Sequence, residues 1–112
     1  MPDAAVKQRI LVVEESATLR YMLGKNIQKQ GYELVSLDSF EVAIELLHES
    51  PQYLHAILVG CPTYEHVKES QQLLTLLDRE PYSEIPVILL SNNAEYKGVI
   101  VKLLNKNYKL WL

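Results

Sequence analysis

The stretch Ile10-Leu-Val-Val-Glu-Glu-Ser16 decides how the rest of the chain is read. Its first four residues are apolar and mostly β-branched, the pattern of a strand buried on both faces of a parallel sheet. Two carboxylates follow at once. Ser16 then offers a hydroxyl that can cap a helix. Beyond it Leu19, Met22, Leu23 and Ile27 recur at helical spacing, and Gly31 supplies a stop.

The alternation repeats outward. Leu34–Leu37 predicts a second strand, and Ser39 can cap a helix that turns Phe40, Ala43, Ile44 and Leu47 inward, with Pro51 ending the region. Ala56–Val59 is the third strand, broken by Gly60-Cys61-Pro62-Thr63. The positions of Val67, Leu73, Leu74 and Leu77 predict one helix over about 65–77, with Gln71 and Gln72 outward. Ile85–Leu90 is the fourth strand, and its Pro86 sits near the start, where a missing donor costs little. Tyr96, Val99, Ile100, Leu103 and Leu104 predict a fourth helix, although Gly98 lies inside it and residues 99–101 also suit a strand. Tyr108–Leu112 predicts a short fifth strand. Strands alternating with helices imply right-handed crossovers and an α/β, doubly wound parallel sheet. There are no internal repeats, low-complexity segments or linkers.

Composition narrows the function. The 112 residues suffice for one domain, and 48% hydrophobic with 22% charged residues is a globular balance. A net charge of −3 gives no basic excess for nucleic acid or for an anionic membrane surface. No apolar run reaches the ~18 residues of a membrane span, and the N-terminus lacks a signal-peptide core. The single Cys61 excludes an internal disulfide and suits a reducing, cytoplasmic setting.

In a parallel sheet the functional crevice lies at the carboxyl ends of the strands. The residues there are Glu14 and Glu15, Asp38, Gly60 and Cys61, Ser91 and Asn92, and the chain end. Paired carboxylates suit Mg²⁺, which takes hard oxygen ligands. They equally suit a solvated turn before a helix N-terminus. Ser91 can donate to a phosphoryl oxygen or cap the next helix. Gly60 reads as a turn needing positive φ. Cys61 has no neighbouring cation in the sequence to activate its thiol. His48, His55 and His66 lack metal-ligand spacing. There is no Gly-rich phosphate loop, nucleophile elbow or C-x-x-C, and no nucleophile–base pair on the rim, so enzymatic chemistry is not expected.

Two segments together carry a resemblance. ILVVEES (Ile10–Ser16) and SEIPVILLS (Ser83–Ser91) resemble the first and fourth strands of bacterial response-regulator receiver domains, which commonly read I-L-V-V-D-D-S and hold an I-P-V-I core. HAILVGCP (His55–Pro62) falls where the third strand and phosphoacceptor loop should stand. The resemblance runs from about Arg9 to the end, leaving residues 1–8 as an N-terminal extension and 9–112 as the receiver-like domain. It implies a flavodoxin-like fold with a five-stranded parallel sheet. It also implies a phosphoryl switch, in which an Asp ending the third strand is phosphorylated from a histidine kinase. The acidic pair holds Mg²⁺, a Ser or Thr of the fourth strand and a Lys of the fifth contact the phosphoryl group, and the surface of the fourth helix and fifth strand repacks.

Carried over by position, Glu14 and Glu15 match the acidic pair, both as Glu where Asp is usual at least once. Ser91 matches the hydroxyl. Gly60 falls on the acceptor, and a gapped alternative that takes Pro62 as the loop proline puts it on Leu58. Neither can accept a phosphoryl group, and the loop is shortened to Gly60-Cys61-Pro62. The fifth-strand Lys would fall at or just past Leu112, with Lys106 and Lys109 nearby. Trp111 matches the pocket-facing position and Tyr108 the aromatic switch residue.

Phosphoryl transfer needs a nucleophilic oxygen in line with the donor. The resemblance therefore implies a degenerate pseudo-receiver whose altered pocket is Glu14, Glu15, Gly60 and Ser91. Such a chain would be a non-catalytic regulatory module of a two-component phosphorelay. It would need no cofactor, with Mg²⁺ at Glu14 and Glu15 as the one candidate. It would act as a homodimer or through a protein partner, either a histidine kinase or a covalently following output domain. The alternatives are a receiver with an atypical acceptor such as Asp38, and a small-ligand or thiol sensor using Cys61. A complete receiver has a fifth helix beside the first, which the segment order here lacks. The expectation is that the chain continues past Leu112 or that a second copy covers that face.

Overall fold

The structure, a computed structural model, describes residues 8–50, 53–60, 64–90 and 108–111. The chain alternates β1 (Arg9–Val13), α1 (Ala17–Lys29), β2 (Glu33–Leu37), α2 (Phe40–Glu49), β3 (Ala56–Gly60), α3 (Tyr64–Glu69), α4 (Gln71–Leu77), β4 (Val87–Leu90) and β5 (Tyr108–Trp111). All five strands pair in parallel, in the order β2-β1-β3-β4-β5. The doubly wound sheet read from the alternation is therefore present, with its fifth strand where the terminal apolar residues placed it.

The helix ends follow local chemistry. Ser16 Oγ accepts the Leu19 N–H at 3.3 Å, and Ser39 Oγ accepts the Val42 N–H at 3.2 Å. Each satisfies a donor that the first helical turn leaves without an intrahelical partner. At the other end of α1, Gly31 adopts a φ of 93°. This lets its N–H reach the Gln28 carbonyl (3.0 Å) while the Tyr32 N–H reaches that of Ile27 (3.3 Å), the paired bonds of a glycine-terminated helix.

Strand alternation sorts the apolar residues onto two faces. One face sends Leu11, Val13, Ile57, Val59, Val87 and Leu89 against Ala43, Leu47, Leu73, Leu74, Leu77 and Tyr82, all buried. The other holds Ile10, Val12 and Leu58 under Leu23 and Ile27 of α1, with Ile88 and Leu90 half-buried beside them.

Four expectations are corrected here. The helix read over 65–77 is two helices meeting at Ser70. The Ser70 N–H still reaches the His66 carbonyl and the Leu74 N–H that of Ser70, both at 2.9 Å. However, Ser70 has a ψ of −7°, far from the helical value of about −42°. Val67 and Leu73 are six apart in sequence, out of phase with a single helical face. The fourth strand begins at Val87 rather than Ile85, because Pro86 has no N–H to add and contributes only its carbonyl, which accepts from the Ile57 N–H at 3.0 Å. The stripe of α1 is not all inward: Leu19 is 47% and Met22 54% exposed, while Leu23 and Ile27 pack on the sheet and Gly24 lies close against Leu34. Gly60 does not take a positive φ; it ends β3 in extended backbone. The fourth helix at Tyr96–Leu104, together with Ser91, Asn92, Cys61 and Pro62, lies outside the described residues. Among the described residues no helix is long and apolar enough to cross a membrane.

Candidate functional site

Val13 of β1 and Val59 of β3 are register partners. The next residue of each strand, Glu14 and Gly60, therefore arrives at the same level at the carboxyl edge. This is where the strand order turns, β1 being followed on one side by β2 and on the other by β3. The register Gly60↔Leu90↔Trp111 puts Trp111 on this rim, whereas Tyr108 lies level with Val87 at the far end of β5.

Glu14 is buried, only 4% exposed. Its N–H donates to the Leu37 carbonyl at 3.0 Å, extending the β1–β2 ladder by one bond. Its Oε2 accepts the Ser16 N–H at 2.8 Å, which folds the carboxylate back over the strand ends. The consequence falls on Gly60. A Cβ at that position would overlap Oε1 of Glu14 and lie 2.9 Å from its Cδ. Glycine stands there because a neighbouring carboxylate fills the space of its side chain.

Glu15 goes the other way. Its side chain is solvent-exposed, and its Oε2 lies 3.1 Å from Nε2 of His66 on α3. The His66 ring meets Phe40 edge-on, with centroids 6.5 Å apart. Between the two acids the backbone is clamped by Arg20, whose Nη1 donates to the carbonyls of Glu14 (2.8 Å) and Glu15 (3.1 Å). Charge-assisted bonds of this kind are the stronger ones. Neither Arg20 nor His66 stood out in the sequence. Arg20 reads as an ordinary helix cation until its reach back to the preceding turn is seen. His66 becomes a partner of Glu15 only because the fold brings together residues 51 positions apart.

A cavity of about 360 Å³ opens beside this turn. Val13, Phe40 and Ile44 form its apolar wall, and Glu15, Asp38, Glu41, Glu69 and His66 its polar rim, with Gly60 at the inner edge. Among the described residues no Lys or Arg lines it, so the carboxylates described there set a field of like sign against an approaching phosphate ester. The pair that the resemblance assigns to Mg²⁺ is split in direction. The two carboxylates are held by different partners, Glu14 by the Ser16 N–H and Glu15 by His66. Among the described residues, no three His, Cys, Asp or Glu side chains converge as a metal site.

No protein-family model matches the chain. Solved structures do. A response regulator receiver protein from Pseudomonas putida superposes with a TM-score of 0.72 at 19% identity, over 96% of this chain and 88% of its own. The fold is that of a response-regulator receiver domain. A response regulator protein from Burkholderia multivorans gives a TM-score of 0.66 at 17% identity, covering 96% and 85% of the two chains. The N-terminal domain of a receiver protein from Methanoculleus marisnigri gives 0.64 at 20% identity, covering 93% and 84%. Glu14 and Glu15 follow the first strand of this fold and Gly60 ends the third.

Proposed function

We propose that this chain is a receiver-fold module that no longer carries a phosphoryl group and serves two-component signalling as a non-catalytic interaction module. One observation carries the reading: the end of β3 is Gly60, and the space its side chain would fill is taken by the Glu14 carboxylate. A phosphorylated receiver needs a nucleophilic oxygen at that point. The acidic rim of the adjoining cavity adds to the same side, since the carboxylates among its described residues oppose a dianionic donor.

A module without a phosphoryl switch acts through its surface. Among the described residues, five large hydrophobics are exposed, and three of them, Leu19, Tyr21 and Met22, are on α1. Clustered exposed apolar residues mark contact surfaces. A protein partner, a covalently following output domain or a second copy would bind there.

Beryllium fluoride with Mg²⁺ tests the reading, because it mimics a bound phosphoryl group on a receptive carboxylate. Amide resonances of Glu14, Glu15 and Gly60 are expected to stay in place when both are added. Saturable shifts at these three positions would refute the loss of the switch.

A further inference from the structure

We infer that Glu14 is an internal plug, a carboxylate from the first turn that permanently fills the space over Gly60 at the strand ends and sets the module in one state without a ligand. The inference deepens the reading of a receiver that has given up phosphorylation. It rests on three features of one side chain. The carboxylate is buried. Its Oε2 is engaged by the Ser16 N–H, at the cap of α1. Its Oε1 stands over the one residue of β3 that has no side chain to collide with it.

The arrangement is reciprocal. Gly60 gives the carboxylate room, and the carboxylate covers backbone that a glycine would leave open. Arg20 fixes the turn by its two carbonyl bonds, so the plug is held from its main chain as well as from its tip. Burial of a carboxylate is tolerated when hydrogen bonds satisfy it. Truncating Glu14 at Cβ would leave the Ser16 N–H without its acceptor, above a void of carboxylate size. A small planar carboxylate supplied from solution would suit both.

The test is thermal unfolding of the whole 112-residue chain in sodium acetate against sodium chloride at equal ionic strength. The Glu14→Ala chain should melt below the wild type in chloride and recover by several degrees in acetate, with a saturating dependence, which is roughly what filling a vacant site does for a domain of this size. The wild type should not respond to acetate beyond chloride. Glu14→Gln keeps the shape and an oxygen for Ser16, so it should melt close to the wild type and ignore acetate. Equal acetate responses in the wild type and Glu14→Ala would overturn the plug. So would a Glu14→Gln loss as large as that of Glu14→Ala. No phosphoryl donor is present, so a wild type later found to be phosphorylated would overturn the signalling reading and leave this result standing.

Discussion

Gly60→Ala is expected to destabilise the domain by about 2–4 kcal/mol, seen as a lower denaturant midpoint with an unchanged slope. The sign is the informative part. Alanine in place of a strand glycine that lacks a positive φ would ordinarily stabilise, because it restricts the unfolded chain and has the better strand geometry. Here the added methyl would overlap Oε1 of Glu14. Overpacking costs about 1–3 kcal/mol, and displacing the carboxylate also breaks its bond to the Ser16 N–H, worth about 1 kcal/mol. Gly60→Asp should cost more than Gly60→Ala, since it brings a second carboxylate against a buried first one. A Gly60→Ala chain as stable as the wild type would mean that Glu14 moves aside freely.

Tyr82→Ala is expected to cost about 3–5 kcal/mol, a large share of the roughly 5–15 kcal/mol that holds an ordinary domain folded. Tyr82 is 1% exposed and packs in the core cluster beneath α2 and α4. Its hydroxyl donates to the Leu47 carbonyl at 3.1 Å. Leu47 lies in the last turn of α2, where carbonyls have no intrahelical partner. The phenol therefore does two things, filling the core and ending a helix. Tyr82→Phe separates them: it keeps the ring and should lose only about 1–2 kcal/mol. Circular dichroism of both variants through a urea titration checks the pair, and equal losses would place the whole effect in the hydroxyl.

Much of this fold was legible because the central strands β1 and β3 are short, apolar and buried on both faces. Ile10–Val13 and Ala56–Val59 read as strands without any partner in view, and Ser16, Ser39 and Gly31 marked helix ends by local hydrogen bonding that sequence alone specifies. What failed was decided further away. The exposure of Leu19 and Met22 depends on what stands beside α1, which helical spacing does not encode. The turn at Ser70 divides a segment whose composition is helical throughout.

The site divides in the same way. Gly60 and the two Glu residues were found by position along the chain. That Gly60 yields its space to Glu14, rather than adopting a special φ, is visible only when β1 and β3 lie side by side. His66 and Asp38 reach the cavity of Glu15 through tertiary structure, from α3 and from the end of β2.

Intact mass after incubation with acetyl phosphate and Mg²⁺ tests most directly whether the receiver fold here has lost its phosphoryl chemistry. The expected result is an unchanged mass for the wild type. An acid-labile species heavier by about 80 Da, one phosphoryl group, would contradict it, and its disappearance in Asp38→Ala would move the acceptor to the end of β2.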